Sequence, residues 1–223
     1  MEQSNNHAGA CLIESYELEA KQIALELHEN ISQNLYSIHM GLEYLQTGIE
    51  NEHFKHYAKE MTLLMSNTIK DVRLLSGRLY PITLPTLGLN SALKSYVKSF
   101  SITFGIKVHV KSMGEECEVP ELVSLAIYRS CVEALLNTAK HADVGETALH
   151  FTWEEKSLTI DIIDTGKGFN VSRSMENNPF KGIAAMKQRV KVAGGSCLIS
   201  SIEGEGTKVS LVLPIRVRGM LEG

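Results

Sequence analysis

Glu133-Ala-Leu-Leu-Asn137-Thr-Ala-Lys140-His141 closes a largely apolar run that opens at Pro120, and its reading decides the architecture of the C-terminal part of the chain. Proline has no backbone donor and a preset φ, which suits a first helical position, so Pro120 begins a helix that reaches about His141. Glu133 and Asn137 are four apart and share one helix face, which Lys140 and His141 continue on the next turn. A carboxylate and an amide within an apolar helix cost desolvation free energy unless they find partners. Magnesium with phosphates supplies such partners, because the ion prefers oxygen ligands and keeps several waters. A solvent-facing stripe explains the same spacing, so this helix alone does not choose.

Downstream the period changes. Thr147–Trp153 and Leu158–Ile163 alternate as paired strands. The second strand runs into Asp164-Thr165-Gly166-Lys167-Gly168-Phe169. A carboxylate at a strand end can accept a hydrogen bond from an adenine amino group, and the glycines allow close backbone approach. Asp and Gly are also common turn residues, so a tight turn is the plainer reading. After the polar stretch Asn170–Pro179, expected to be a lid, Lys181-Gly182 opens a helix to Ala193. Its free amides and partial positive charge suit phosphates. Gly204-Glu205-Gly206-Thr207 is a hairpin turn between strands Ser196–Ser201 and Lys208–Leu213. Upstream, Leu89–Phe104 reads as a helix and Ile106–Val110 as a short strand. Helices on one face of a mixed sheet make an α+β sandwich.

The N-terminal part reads differently. From Glu14 to Leu45 apolar residues recur at steps of three and four (Tyr16, Ala20, Ile23, Leu27, Ile31, Leu35, Ile38, Leu42, Leu45). Gly48 and Asn51 mark a turn, and Glu52–Leu79 repeats the pattern until Pro81 and Pro85 stop it. Two long helices on a short loop form an antiparallel hairpin with one apolar face. A second copy covers that face in a four-helix bundle, so a homodimer is expected, with a coiled-coil extension from Ile13. The expected layout is a linker over 1–13, a helical hairpin over 14–82 and an α/β sandwich over 86–216. The domain boundary falls near residues 80–88.

Composition sets outer limits. The chain has 223 residues, 43% hydrophobic and 22% charged, enough for two small domains of ordinary globular composition. A net charge of −4 gives no general attraction to nucleic acid. No run reaches the roughly 18–20 apolar residues that cross a bilayer, and Met1–Ala10 lacks a signal peptide's features. A cytoplasmic location follows as an expectation, also for the inner part of a membrane-bound sensor. The cysteines Cys11, Cys117, Cys131 and Cys197 form no CxxC pair, which argues for idle thiols rather than a disulfide framework or zinc site. His53 and His56 at i,i+3 are read as a surface junction, and His39 has no carboxylate neighbour that would mark it for chemistry.

Taken together, the four features of the C-terminal part resemble the ATP-binding domain shared by histidine kinases, DNA gyrase, the Hsp90 chaperones and MutL. Glu133/Asn137 is similar to its N box, Asp164/Gly166/Gly168 to its G1 box, Gly182 to its G2 box and Gly204/Gly206/Thr207 to its final glycine box. The resemblance implies that Asn137 holds magnesium, Asp164 reads adenine and Gly182 closes over the phosphates. Lys140 and His141 fall at the nucleotide with them. Thr165 stands where the family usually has Asn, and Ala185 where a second glycine is common.

The first helix separates the members of that superfamily. Ile23-Ala-Leu-Glu-Leu27-His28-Glu29-Asn-Ile-Ser-Gln33 resembles the phosphoacceptor segment of sensor kinases of the NarX/DesK/LiaS type. Val72-Arg73-Leu-Leu-Ser-Gly-Arg78-Leu-Tyr-Pro81 and Lys187-Gln-Arg189-Val resemble two further segments of that family, so the likeness spans roughly residues 14–214. His28, one residue or about 100° of helix from Leu27, lies at the edge of the seam. The resemblance implies a two-component kinase that uses Mg-ATP to phosphorylate His28. Glu29, in place of the commoner aspartate, orients the ring, Gln33 positions water for dephosphorylating a partner, and Glu133 orients water or a magnesium ligand. The partner is then a response regulator, expected to carry a helix-turn-helix output domain. Two other readings are weighed. A serine/threonine kinase of the anti-sigma type lacks a hairpin bearing such a histidine, and a dimeric pseudokinase scaffold requires a broken nucleotide site.

Overall fold

The computed structural model describes residues 18–171 and 181–215. These form two compact units that divide between Ile82 and Thr83. The coiled-coil extension expected from Ile13 and the stretch Asn170–Pro179, beyond its first two residues, lie outside the described residues.

The N-terminal unit is a helical hairpin. Helix α1 runs over 18–48, α2 over Glu52–Leu79. The turn between them ends on Asn51, whose side-chain oxygen accepts from the amides of His53 (3.0 Å) and Phe54 (3.3 Å). That cap satisfies donors left open by the first helical turn. On α1 the contact is made by small residues, on α2 mostly by larger ones. Ala20, Ala24 and Ser32 are buried on α1, and Ile69, Leu74 and Ser76 on α2. Beyond α2, Tyr80 is extended at φ −158°, as the residue before proline prefers.

The apolar stripe read from spacing therefore divides. Leu27, Leu35 and Leu42 are half-buried within the hairpin, whereas Ile23, Ile31, Ile38 and Leu45 stay 39–59% exposed. On α2, Phe54, Leu64 and Leu75 are likewise exposed. A second departure from simple periodicity is a π turn over Leu27–Ile31, in the middle of α1.

The C-terminal unit opens with α3 (Leu84–Phe104), which contains a break at Gly88, where φ is +75° and ψ 177°. Glycine tolerates that conformation, so the packed part of the helix begins at Leu89 as its apolar pattern indicates. Strand β1 (Lys107–Met113) follows, then α4 (Glu121–Asn137) extended by a second π turn (Thr138–Ala142). Then come β2 (Glu146–Trp153), β3 (Ser157–Asp164), α5 (Lys181–Val192), β4 (Ser196–Ile202) and β5 (Gly206–Pro214). The sheet order is β1-β2-β3-β5-β4; β1 and β2 are parallel across the α4 crossover, and the other pairs are antiparallel.

Alternation decides which face is covered. Leu149, Phe151 and Trp153 of β2, Leu158, Ile160 and Ile162 of β3, and Leu211 and Leu213 of β5 are buried under the helices. Phe100, Ile127, Tyr128, Cys131, Leu135 and Met186 meet them from the helical layer. Burial on this scale, about 1.5–3 kcal/mol for each large apolar side chain, is what holds the sandwich. Tyr96 and Tyr128 pack edge to face at 6.0 Å, an arrangement that ring quadrupoles favour.

Candidate functional site

Asp164 ends β3 and is 7% exposed. A buried carboxylate is costly unless hydrogen-bonded, and both of its oxygens are engaged. Oδ1 accepts from the Gly166 amide at 3.1 Å, and Oδ2 from the Thr138 hydroxyl of α4's extension at 3.2 Å. Each carboxylate oxygen has more than one lone pair, so capacity remains for a ligand.

The glycines act through what they lack. A Cβ on Gly166 would lie 2.3 Å from the Ala142 carbonyl oxygen. One on Gly168, at φ +57°, would lie 1.9 Å from that of Ile202. Gly206, at φ +102°, lets β5 cross so near β3 that a Cβ would meet the Asp164 carbonyl oxygen at 2.1 Å. The Lys167 amide donates to the Ala142 carbonyl (2.9 Å), and the Gly204 amide donates to the Lys167 carbonyl (2.7 Å). These bonds tie the loop after β3 to the end of α4 on one side and to the β4–β5 turn on the other. The Lys167 ammonium also pairs with Asp143 at 2.7 Å and holds that carboxyl below the usual range. Ser201, on β4, accepts from the Phe169 amide and donates to the Gly206 carbonyl, both at 2.9 Å.

Gly206→Ala should therefore strain the turn and push β5 off Asp164. We expect a loss of about 2–5 kcal/mol, combining a disfavoured φ with steric overlap. Thermal unfolding of the variant at the wild-type midpoint would contradict this packing.

Above Asp164 opens a cleft of about 590 Å³. Asn137, Thr138, Lys140 and His141 line one side, Gly182, Ile183 and Met186 another, and Gly168, Phe169, Ile199 and Thr207 complete it. Its floor is apolar around one buried carboxylate, a composition suited to a flat heterocycle with a hydrogen-bonding edge. Glu133 and Asn137, one turn apart, contribute oxygen donors at the other end. The Gly182 backbone abuts the Glu133 carboxylate so closely that a Cβ would sit 2.0 Å from Oε1. A carboxylate there faces the partial positive charge of the α5 N-terminus.

Of the residues singled out in this part of the sequence, Glu133, Asn137, Lys140, His141, Asp164, Gly168, Gly182 and Thr207 thus share one cleft. Gly166, Gly204 and Gly206 stand behind its wall, where they shape the loops. Thr138 is the member that sequence reasoning overlooked; it lay inside the quoted helix, but nothing in spacing shows that its hydroxyl reaches Asp164. A larger hollow of about 770 Å³ lies between the start of α3 and the β1–α4 loop and contains none of these residues.

In the hairpin, His28, Glu29 and Gln33 are all exposed on α1. His28 and Glu29 lie inside the π turn. Glu29 and Gln33 are four apart and would share a face in a regular helix, but hydrogen bonds in this turn span five residues and alter that geometry.

Comparison with known proteins assigns the family. Residues 123–217 match the family described as histidine kinase-, DNA gyrase B-, and HSP90-like ATPase, and residues 19–84 match a histidine kinase family. Among solved structures, the histidine kinase domain of a blue-light activated histidine kinase from Erythrobacter litoralis EL346 is 16% identical, with a TM-score of 0.51. The alignment covers 82% of this chain and 94% of that one. A longer structure of the same kinase is 17% identical with the same TM-score, over 85% of this chain and 61% of that one. At such identity these structures show the fold. The activity rests on the two family matches, which cover the hairpin and the nucleotide cleft separately and together take in most of the sequence. The chain belongs to the histidine kinases, as the transmitter core of a two-component sensor kinase of the NarX/DesK type.

Proposed function

We propose that this kinase core phosphorylates His28 from ATP bound over Asp164, with magnesium held at Asn137, and passes the phosphoryl group to an aspartate of a response regulator. The cleft carries this reading: a buried, doubly hydrogen-bonded carboxylate under an apolar floor, with oxygen donors on the α4 helix at its other end. Asp164 accepts the adenine amino group. The amides at the start of α5, beginning at Gly182, face the phosphates. Asn137 and Glu133 form an oxygen-only donor pair, which suits magnesium and its retained waters. The metal neutralises charge on the transferring phosphate, and the protein supplies position.

At the acceptor, one nitrogen of a neutral His28 ring attacks while Glu29 takes or orients the proton on the other. Gln33, one turn further, positions water when the phosphorylated regulator is dephosphorylated. The exposed aliphatic and aromatic residues of α1 and α2 support homodimerisation, since each covered side chain contributes about 1.5–3 kcal/mol. No helix among the described residues is long and apolar enough to cross a membrane. A helix-turn-helix output on the regulator is the remaining element of the proposal and follows from the family resemblance.

The test is incubation with γ-labelled ATP and magnesium. Label should be stable to alkali and lost in acid, as phosphohistidine is. Chelating magnesium should lower its rate of appearance by about a hundredfold or more, because the charge neutralisation is lost. Unlabelled protein that still binds ATP would instead favour a scaffold.

A further inference from the structure

The turn that carries His28 is held by two buried hydroxyls. Ser76, 2% exposed on α2, donates its Oγ proton to the Ala24 carbonyl at 2.9 Å, across 52 residues of sequence. Ser32, 5% exposed on α1, donates its Oγ proton to the Leu27 carbonyl, also at 2.9 Å. The Ser32 amide bonds the same carbonyl. In a regular α-helix the His28 amide bonds the Ala24 carbonyl, and the Ser32 amide bonds the His28 carbonyl. The first serine therefore sits on the carbonyl that governs the His28 amide. The second diverts its own amide from His28 to Leu27 and closes the π turn. Ala24 is fully buried beside Ser76, so the contact is dry and its geometry tight. One turn earlier, the Lys21 ammonium lies 5.2 Å from the centre of the buried Tyr80 ring, which binds the end of α2 to the same helix.

We infer that Ser32 and Ser76 are positioning residues, which hold the widened turn and so set the direction in which the His28 imidazole leaves the helix. The inference rests on His28 being the phosphoacceptor. In-line transfer needs the attacking nitrogen aligned with the phosphorus, and misplacement by about 1 Å can cost on the order of a hundredfold in rate. Reverting the turn to regular α geometry would rotate the ring around the helix by a large fraction of the 100° between successive residues. The ring itself is exposed, so the resistance to that rotation comes from the buried hydroxyls that hold the backbone of the turn.

The experiment compares wild type, Ser76→Ala, Ser76→Thr and Ser32→Ala in the full chain. Three readouts are taken: autophosphorylation rate at saturating ATP, KM for ATP, and labelling by phosphoramidate, a small donor that reaches an exposed imidazole from free solution. The alanine variants should lose at least about tenfold in rate with KM within twofold, and keep near wild-type labelling by phosphoramidate. Ser76→Thr, which keeps the hydroxyl, should recover most of the rate. Alanine variants that autophosphorylate as wild type would overturn the inference. So would a proportional fall with both donors, which would show damage to the acceptor rather than its misdirection. If one alanine variant does not fold, the other decides. Mapping the wild-type label separates the two levels: label on a residue other than His28 removes the underlying reading, whereas label on His28 with unaffected serine variants removes only the positioning role.

Discussion

A His28→Ala chain should bind ATP as wild type does and acquire no acid-labile phosphate at all. The two parts of this expectation have separate causes. Asp164, Asn137 and the glycines that shape the cleft belong to the C-terminal unit, so the binding site keeps every residue. The acceptor nitrogen belongs to an exposed side chain on α1, whose replacement by alanine improves local helix propensity and opens no cavity. The loss should be complete because the phosphoryl group has no other nucleophile in the proposed reaction. His39, about three turns along the helix, does have a carboxylate neighbour, contrary to the reading of its sequence context, since Glu43 lies 3.8 Å away; but it is half-buried and outside the π turn. Phosphate mapping with titration of a fluorescent nucleotide measures both parts. Residual label in the variant would move the acceptor elsewhere, and weakened nucleotide binding would mean that the substitution acts through folding.

The second large effect is expected from Asp164→Ala. The wild-type carboxylate is buried and bonded to Thr138 and Gly166. In the proposed complex, removing it deprives adenine of its acceptor and leaves the part-buried Gly166 amide without its partner, while the Thr138 hydroxyl falls back on the Ala134 carbonyl at 3.3 Å. A hydrogen bond to a charged group is worth about 1.5–3 kcal/mol, so ATP affinity should fall roughly 10- to 100-fold from the direct loss alone. The unpaired amide adds up to about 1–3 kcal/mol of destabilisation, which should lower the unfolding midpoint as well. Asp164→Asn keeps the shape and one oxygen, so it separates these contributions: nucleotide affinity should suffer more than stability. Nucleotide titration beside thermal unfolding measures them, and an Asp164→Ala variant with wild-type affinity would place adenine elsewhere in the cleft.

Much of this was legible in the residues. Period 3.6 marked the two long helices, and prolines marked where the second stops. Period 2 marked the strands, because one face of the sheet is buried and the other is not. The order of the four short features, each ambiguous alone, was enough to suggest one nucleotide cleft; the histidine on the hairpin separated the kinase from the serine/threonine reading, and the intact set Asn137, Asp164, Gly166, Gly168 and Gly206 spoke against the scaffold. The match of residues 19–84 to a histidine kinase family agrees with the first separation.

Three things were not legible. The apolar stripe of α1 was read as one seam, yet Ala20, Ala24 and Ser32 face α2 while Ile23, Ile31 and Ile38 do not. Composition ranks large aliphatic residues as core, but here small residues on α1 make room for Ile69 and Leu74 of α2. The π turns over Leu27–Ile31 and Thr138–Ala142 left no mark in the period, since a single extra residue in one turn barely disturbs it. The partnership of Thr138 with Asp164 joins residues 26 apart in sequence.

The sequence by itself determined the α+β architecture, the division into hairpin and sandwich, and the family, because these depend on local propensity, periodicity and short motifs. Only the tertiary structure decided that Gly206 must be a glycine for β5 to approach Asp164, and that Ser76 reaches Ala24 beneath the histidine. Both are close contacts between segments far apart in the chain, and such contacts are set by how the packed elements fit against each other rather than by the residues on either side.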